Sequence, residues 1–263
     1  MSMTVDERAV QQPRGVTSQA AWFREVRCAI WEQAIAERED PRATPDAVTP
    51  ERERLAVNEV RENGMPLPAA RATVHNGAEA FRYWGGWIGK IHGQTGELAA
   101  GEAFHAYTLK EPVGVAALIV PWNGPLMLAC HKLAPALAAG CTTVLKPAED
   151  TSLNTLDLVR IVHEAGVPDG VVNLVTGLGG AAGQALAEHP DVDKISFTGS
   201  TATGRRLIAA SAGNLKRLSL ELGGKSPVLV FADADLDPAI ESAARSIFNN
   251  SGQVCAAGSR LFV

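Results

Sequence analysis

Val113-Gly114-Val115-Ala116-Ala117-Leu118-Ile119-Val120-Pro121-Trp122-Asn123-Gly124 is the stretch on which the fold turns. Its first eight residues form a continuous apolar run, the pattern of a strand covered on both faces. Pro121 to Gly124 break that run. Leu126, Cys130, Leu133 and Leu137 then recur at helical spacing until Gly140 stops the helix. Thr142-Thr143-Val144-Leu145 is the next strand, and the alternation goes on. A helix starting near Thr151 or Ser152 runs to Gly166, followed by the strand Val171–Val175. Gly177 to Gly183 opens a helix before the strand Lys194–Phe197, and Thr198-Gly199-Ser200-Thr201 opens another before Arg217–Leu220. Strands alternating with helices predict an α/β fold, a doubly wound parallel sheet of Rossmann-like type. Ligands of such sheets collect at the carboxyl ends of the strands.

Upstream, Ala70, Val74, Gly77-Ala78, Phe81, Trp84 and Ile88 predict a helix, with Phe81, Trp84 and Trp87 read as core. The glycine-rich Gly93–Gly101 and the short strand Ala106–Leu109 predict a hairpin arm within 93–112. Asn63-Gly64 marks a helix stop. Before it the sequence says least: Trp22, Val26 and Ile30 recur at helical spacing, Leu55 with Val57 and Val60 less cleanly. Between them Glu37-Arg38-Glu39-Asp40-Pro41, Pro45 and Pro50 suit a linker.

Charge and cysteine usage exclude several classes. A net charge of −5 argues against nonspecific nucleic-acid binding, which needs clustered Lys and Arg. The cysteines at 28, 130, 141 and 255 form no CxxC and have no histidine at zinc-finger spacing, so no metal site is expected. So few cysteines in a chain this size make a disulfide framework unexpected, and a reducing cytoplasm is the default location. No apolar run approaches the roughly 20 residues a membrane span needs, and Met1–Arg8 lacks the apolar core of a signal peptide.

Several short stretches carry chemistry. Thr176-Gly177-Leu178-Gly179-Gly180-Ala181-Ala182-Gly183 approaches the dinucleotide fingerprint, with its last glycine one place late. Phe197-Thr198-Gly199-Ser200-Thr201 offers free backbone N–H groups and hydroxyls at a helix start, where a pyrophosphate is welcome. Either can also be an ordinary tight turn. Lys146-Pro147-Ala148-Glu149 leaves a cation and an anion at a strand's carboxyl edge, to hold ribose hydroxyls or to form a plain surface ion pair. Glu221, between Leu220 and Leu222 at a strand end, is expected to be paired or to have its pKa raised by desolvation, the condition of a general base near neutrality. Cys255, in Gly252-Gln253-Val254-Cys255, is flanked by small residues that keep a sulfur accessible, although a buried and inert thiol is the commoner fate of cysteine.

Taken together, Pro121-Trp122-Asn123, Lys146-Pro147-Ala148-Glu149, Phe197-Thr198-Gly199-Ser200-Thr201, Leu220-Glu221-Leu222-Gly223-Gly224-Lys225 and Gly252-Gln253-Val254-Cys255 resemble, in order and spacing, the aldehyde dehydrogenase superfamily. The resemblance is dense from about Asn63 to Val263. It implies that an aldehyde is oxidised to a carboxylic acid with NAD, through a thiohemiacetal and then a thioester on Cys255. Asn123 and the Cys255 backbone N–H would form the oxyanion hole, and Glu221 would activate the hydrolytic water. Lys146 and Glu149 would hold the adenine ribose. A glutamate there would repel a 2′-phosphate, which favours NAD over NADP. Ser200 would contact the pyrophosphate and Trp122 would lie beside the cofactor, with Gly177, Gly199 and Leu222 completing the cofactor set. A homo-oligomer is also implied.

The same resemblance divides the chain into a poorly matching segment 1–62, an NAD-binding domain 63–222 with the hairpin arm, and the start of a catalytic domain at 223–263. On this reading the chain is truncated. The family's later Glu-x-Phe-Gly-Pro motif is absent, the hairpin lacks its usual partner strand, and Arg260–Val263 reads as a strand without a successor. The alternative function is therefore a catalytically inactive fragment that binds dinucleotide or associates with a full-length relative.

Overall fold

The structure, a computed structural model, describes residues 50–97, 99 and 104–263. The spacing of Trp22, Val26 and Ile30, Cys28, and the stretch from Glu37 to Pro45 lie outside the described residues. Helix α1 (Pro50–Asn63) carries Glu51 and Glu53 in its first turn and Arg61 in its last, the order the helix dipole favours. Pro50, read from the sequence as part of a linker, is its first residue. Helix α2 (Leu67–Gly85) follows after a short turn. Strands β1 (Thr95–Gly96) and β2 (Ala106–Tyr107) pair antiparallel as the expected hairpin. Phe81 and Trp84 are half-buried, but Trp87 is 39% exposed. It falls just past the end of α2, where the periodicity that places its neighbours against the core has stopped.

The alternating segment runs β3 (Val115–Ile119), α3 (Pro125–Ala138), β4 (Thr142–Lys146), α4 (Leu153–Glu164) and β5 (Val172–Leu174). A π turn at Gly179–Gly183 leads into α5 (Gln184–Glu188), then β6 (Lys194–Gly199), α6 (Thr201–Ser211) and β7 (Arg217–Leu222). The five strands lie in the order β5-β4-β3-β6-β7, and every pairing is parallel. The winding reverses between β3 and β6, which opens a crevice at their carboxyl ends.

β3 is buried at every residue because both its faces are covered. Ala116, Leu118 and Val120 join a cluster with α1, α2, α3 and α4, including Leu55, Val74, Leu133 and Leu158. Val115, Ala117 and Ile119 face the other way, onto Leu186, Ile195 and Leu207. The period of two along an unbroken apolar run thus divides one strand between two cores. The strand's entry is set by Gly114 at φ +113°. There the Asp193 Oδ2 accepts from the Val115 N–H at 2.8 Å, and a Cβ on Gly114 would lie 2.1 Å from that oxygen.

The last segment is thinner. Strands β8 (Pro227–Leu229) and β9 (Arg260–Phe262) pair in parallel. Between them α7 (Leu236–Phe248) is amphipathic but buries no residue. Among the described residues no helix is long and apolar enough to cross a membrane.

Candidate active site

The crevice at the strand ends is a cleft of about 680 Å³. Eight of the ten residues singled out in the sequence line it: Trp122, Asn123, Lys146, Glu149, Gly199, Ser200, Glu221 and Cys255. They come from the ends of β3, β4, β6 and β7 and from the loop after α7. Leu222 does not join them. The alternation of β7 turns it toward α6, where it packs over Gly204, while Glu221 faces the cleft. Gly177, at φ +137°, stands behind Leu178, Gly179 and Gly180, which make the wall.

At the β4 end, Lys146 is only 2% exposed, so it is no surface ion pair. Its Nζ donates to the Pro147 carbonyl at 2.8 Å and lies 3.7 Å from Glu149 Oε2. Burial pushes the Lys146 pKa down, and Glu149 partly opposes this. The Glu149 carboxyl is held below its usual range by its own backbone N–H, assisted by Lys146 and the Gly179 N–H. An ammonium has three donors, and the Pro147 carbonyl uses one. Across the cleft, the buried Thr198 Oγ1 finds no partner among the described residues. A Cβ at Gly179 or Gly180 would meet nothing within 4 Å. A cation with spare donors, an orphaned hydroxyl and an uncovered glycine turn are a donor set that fits a dinucleotide. Ser200 is already engaged: its Oγ caps α6 by accepting from the Thr203 N–H at 3.2 Å.

At the other end, Cys255 is exposed, whereas Cys130 and Cys141 are buried. Burial pushes the Cys130 thiol up to about 12, which makes it inert. The loop before Cys255 places Asn250, Ser251 and Gly252 in succession at φ +48°, +59° and +78°. Glycine adopts that conformation freely and asparagine tolerates it, but serine resists it. Asn123 Nδ2 donates to the Gln253 carbonyl at 2.7 Å, and Asn250 Nδ2 donates to the Asn123 carbonyl at 2.9 Å. One of the two Asn123 amide hydrogens remains for another acceptor.

Of the two environments expected for Glu221, desolvation is not found. Its side chain is exposed at the cleft rather than desolvated between its leucine neighbours, because the strand's alternation puts it with Arg217 and Ser219 on the exposed face of β7 and the leucines on the other. The desolvated group nearby is Lys132, on α3. Burial pushes its pKa down to about 8, with Glu221 opposing and Lys194 assisting, and its Nζ donates to Ser196 Oγ at 2.9 Å. Sequence reasoning passed over Lys132, although a lone lysine in the apolar run Leu126–Ala138 was a signal. It also passed over Gln253 inside the cysteine motif. No group of three or more His, Cys, Asp or Glu among the described residues could hold a metal ion.

A family model described as "Aldehyde dehydrogenase family" matches residues 30–263. Aldehyde dehydrogenase family 2 member C4 of Arabidopsis thaliana is 55% identical over 184 residues, 70% of this chain and 36% of its own length. The NAD+ complex of an aldehyde dehydrogenase from Bacillus cereus superposes with a TM-score of 0.86 at 41% identity, over 97% of this chain and 50% of the other. PnpE in complex with nicotinamide adenine dinucleotide gives a TM-score of 0.81 at 47% identity, over 94% and 47%. The chain therefore spans half the length, or less, of these relatives.

Proposed function

The chain belongs to the aldehyde dehydrogenase family, and from that premise we propose that it carries the nucleophile and the NAD-binding surface for oxidising an aldehyde to a carboxylic acid. The observation that carries this reading is the single cleft holding Cys255, Asn123 and Glu221 at one end and Lys146 and Glu149 at the other. The Cys255 thiolate adds to the aldehyde carbon, forming a C–S bond, and the carbonyl oxygen takes the negative charge. The free Asn123 amide hydrogen stabilises that oxygen. NAD, when bound, would supply the acceptor for the hydride that leaves the former aldehyde carbon, so that the oxyanion collapses to the carbonyl of a Cys255 thioester. Lys146 would donate to its ribose hydroxyls and Glu149 accept from them, and the Glu149 carboxylate would disfavour a 2′-phosphate. Glu221 then takes a proton from a water whose oxygen attacks the Cys255 thioester. The C–S bond breaks, the acid departs and the thiolate returns.

A second reading has its own support. Leu229, Phe231, Leu236, Ile240 and Phe248 are all at least 60% exposed in the segment around α7. A chain with that surface could bind dinucleotide without turning over unless another polypeptide covers it. Purified chain given NAD and a simple aldehyde, with reduced nicotinamide followed by absorbance, separates the two. Turnover that is lost by at least about a thousandfold in Cys255→Ala supports the enzyme. NAD binding without turnover supports the second reading, and absence of both sinks the first.

A further inference from the structure

Gly252-Gln253-Val254-Cys255 contains one polar side chain, Gln253, to which the proposed reaction gives no task. Gln253 is half-buried in the wall of the cleft. Its Nε2 donates to two carbonyls, those of Asn63 and Asn250, each at 3.1 Å. Its backbone N–H also donates to the Asn250 carbonyl, at 3.1 Å. Its own carbonyl accepts from Asn123 Nδ2 at 2.7 Å, and Asn250 returns to the Asn123 carbonyl at 2.9 Å. Three distant parts of the chain therefore close a ring: the end of α1, the turn after β3 and the loop before Cys255.

The far anchor of this ring is itself fixed. Asn63 Nδ2 donates to Glu59 Oε2 at 2.6 Å, and Asn63 Oδ1 accepts from the Met65 N–H at 2.9 Å. Glu59 Oε1 accepts from the Leu126 N–H at 2.9 Å, in the first turn of α3 just beyond Asn123. Both ends of the Gln253 contact thus rest on one buried carboxylate. The loop needs such an anchor, because Asn250 and Ser251 hold left-handed backbone, which serine resists. Among uncharged side chains, a primary amide has two hydrogens on one nitrogen to divide between two carbonyls. A glutamate or methionine of the same length has none to give.

We propose that Gln253 is a positioning residue that ties the cysteine loop to the Asn63 carbonyl and, through its own carbonyl, fixes which hydrogen of the Asn123 amide is left for the substrate oxygen. The last part rests on the reading in which Asn123 donates to the aldehyde oxygen.

The test compares the full chain with Gln253→Met, which keeps the volume, and Gln253→Glu, which keeps the shape but donates nothing at neutral pH. Hydrogen exchange of the backbone amides at 250–255 and of the Asn123 side-chain amide is expected to quicken about tenfold in both variants, since one shared donor holds the loop. The NAD dissociation constant should stay within about twofold, which also establishes that the variants fold. Where turnover is measured, kcat should fall roughly ten- to a hundredfold with little change in KM, the mark of a contact made in the transition state. Unchanged exchange in both variants overturns the clamp, and full kcat in Gln253→Met would reduce the residue to packing. If the wild-type chain oxidises no aldehyde, the functional reading fails while the exchange measurement still decides the clamp.

Discussion

Lys146 is a cation placed where the core has no water to give it. Burial lowers its pKa, so the folded chain binds its proton less readily than the unfolded chain does. The charge therefore works against folding at every pH below its folded pKa, and the penalty fades as pH rises from there toward 10.5. Lys146→Met should raise the unfolding midpoint by about 2–4 °C at pH 7 and weaken NAD binding by at least tenfold, read by calorimetry on the same samples. Both shifts together would mark Lys146 as a functional position, and unchanged NAD binding would leave it a plain buried cation. Glu59 poses the opposite question of sign. Burial raises its pKa above 4.5, with Glu62 adding to the rise, and the hydrogen bonds from Leu126, Asn154 and Asn63 oppose it. The folded chain thus holds more protons than the unfolded chain just above pH 4.5, and stability falls as pH rises through that window. Urea unfolding between pH 4.5 and 7 should show a shallower fall in Glu59→Gln than in wild type. Part of the slope should persist, because burial raises the Glu62 pKa as well. Equal slopes in the two proteins would remove Glu59 from the account.

At the scale of the element, β3 shows why the sheet was legible and its neighbours less so. Eight apolar residues in a row leave a strand no exposed face, and the structure covers both. Its start depends on one glycine. Gly114→Ala would place a methyl group on the Asp193 carboxylate in a backbone conformation that alanine resists, and should cost about 1–3 kcal/mol in chemical denaturation. A cost below about half of that would mean that Asp193 can swing away. The alternation of strand and helix was readable because apolar strand runs and helical spacing are separated by glycine and proline breaks such as Pro121–Gly124 and Gly140. Trp87 was misread because it continues a helical spacing past the helix's end. The desolvation offered as one environment for Glu221 failed because its leucine neighbours point to the other face of β7. Whether anything covers a given face depends on what packs over the sheet, which no local stretch encodes. Lys132 was missed for a similar reason: its partner Ser196 lies 64 residues away.

For the whole molecule, the described chain is well packed around the sheet and bare around α7. Leu236 and Ile240 are 64% and 65% exposed, and Phe248 is 75% exposed. Since α7 buries no residue, replacing Ile240 with Lys and Phe248 with Ser should leave the unfolding midpoint within about 2 °C, a change under roughly 0.5 kcal/mol. The same pair should reduce self-association in sedimentation and binding of an apolar dye. A large loss of stability instead would show that this face is covered in solution. The five ordered motifs announced the family from sequence, and the cleft gathers residues from all of them. What the motifs could not supply was the supporting layer, in which Glu59, Asn63 and Asn250 act through contacts far apart in the chain.

That layer also bears on the order of events when the chain folds. The bond from Gln253 to the Asn63 carbonyl spans 190 residues, and contacts of such separation form late, after the cost of closing the intervening loop has been met. The wall beside Cys255 is therefore assembled near the end of folding. On the proposed chemistry, a partly folded chain would carry the thiol without a settled donor beside it until the first described helix and the last described loop have met.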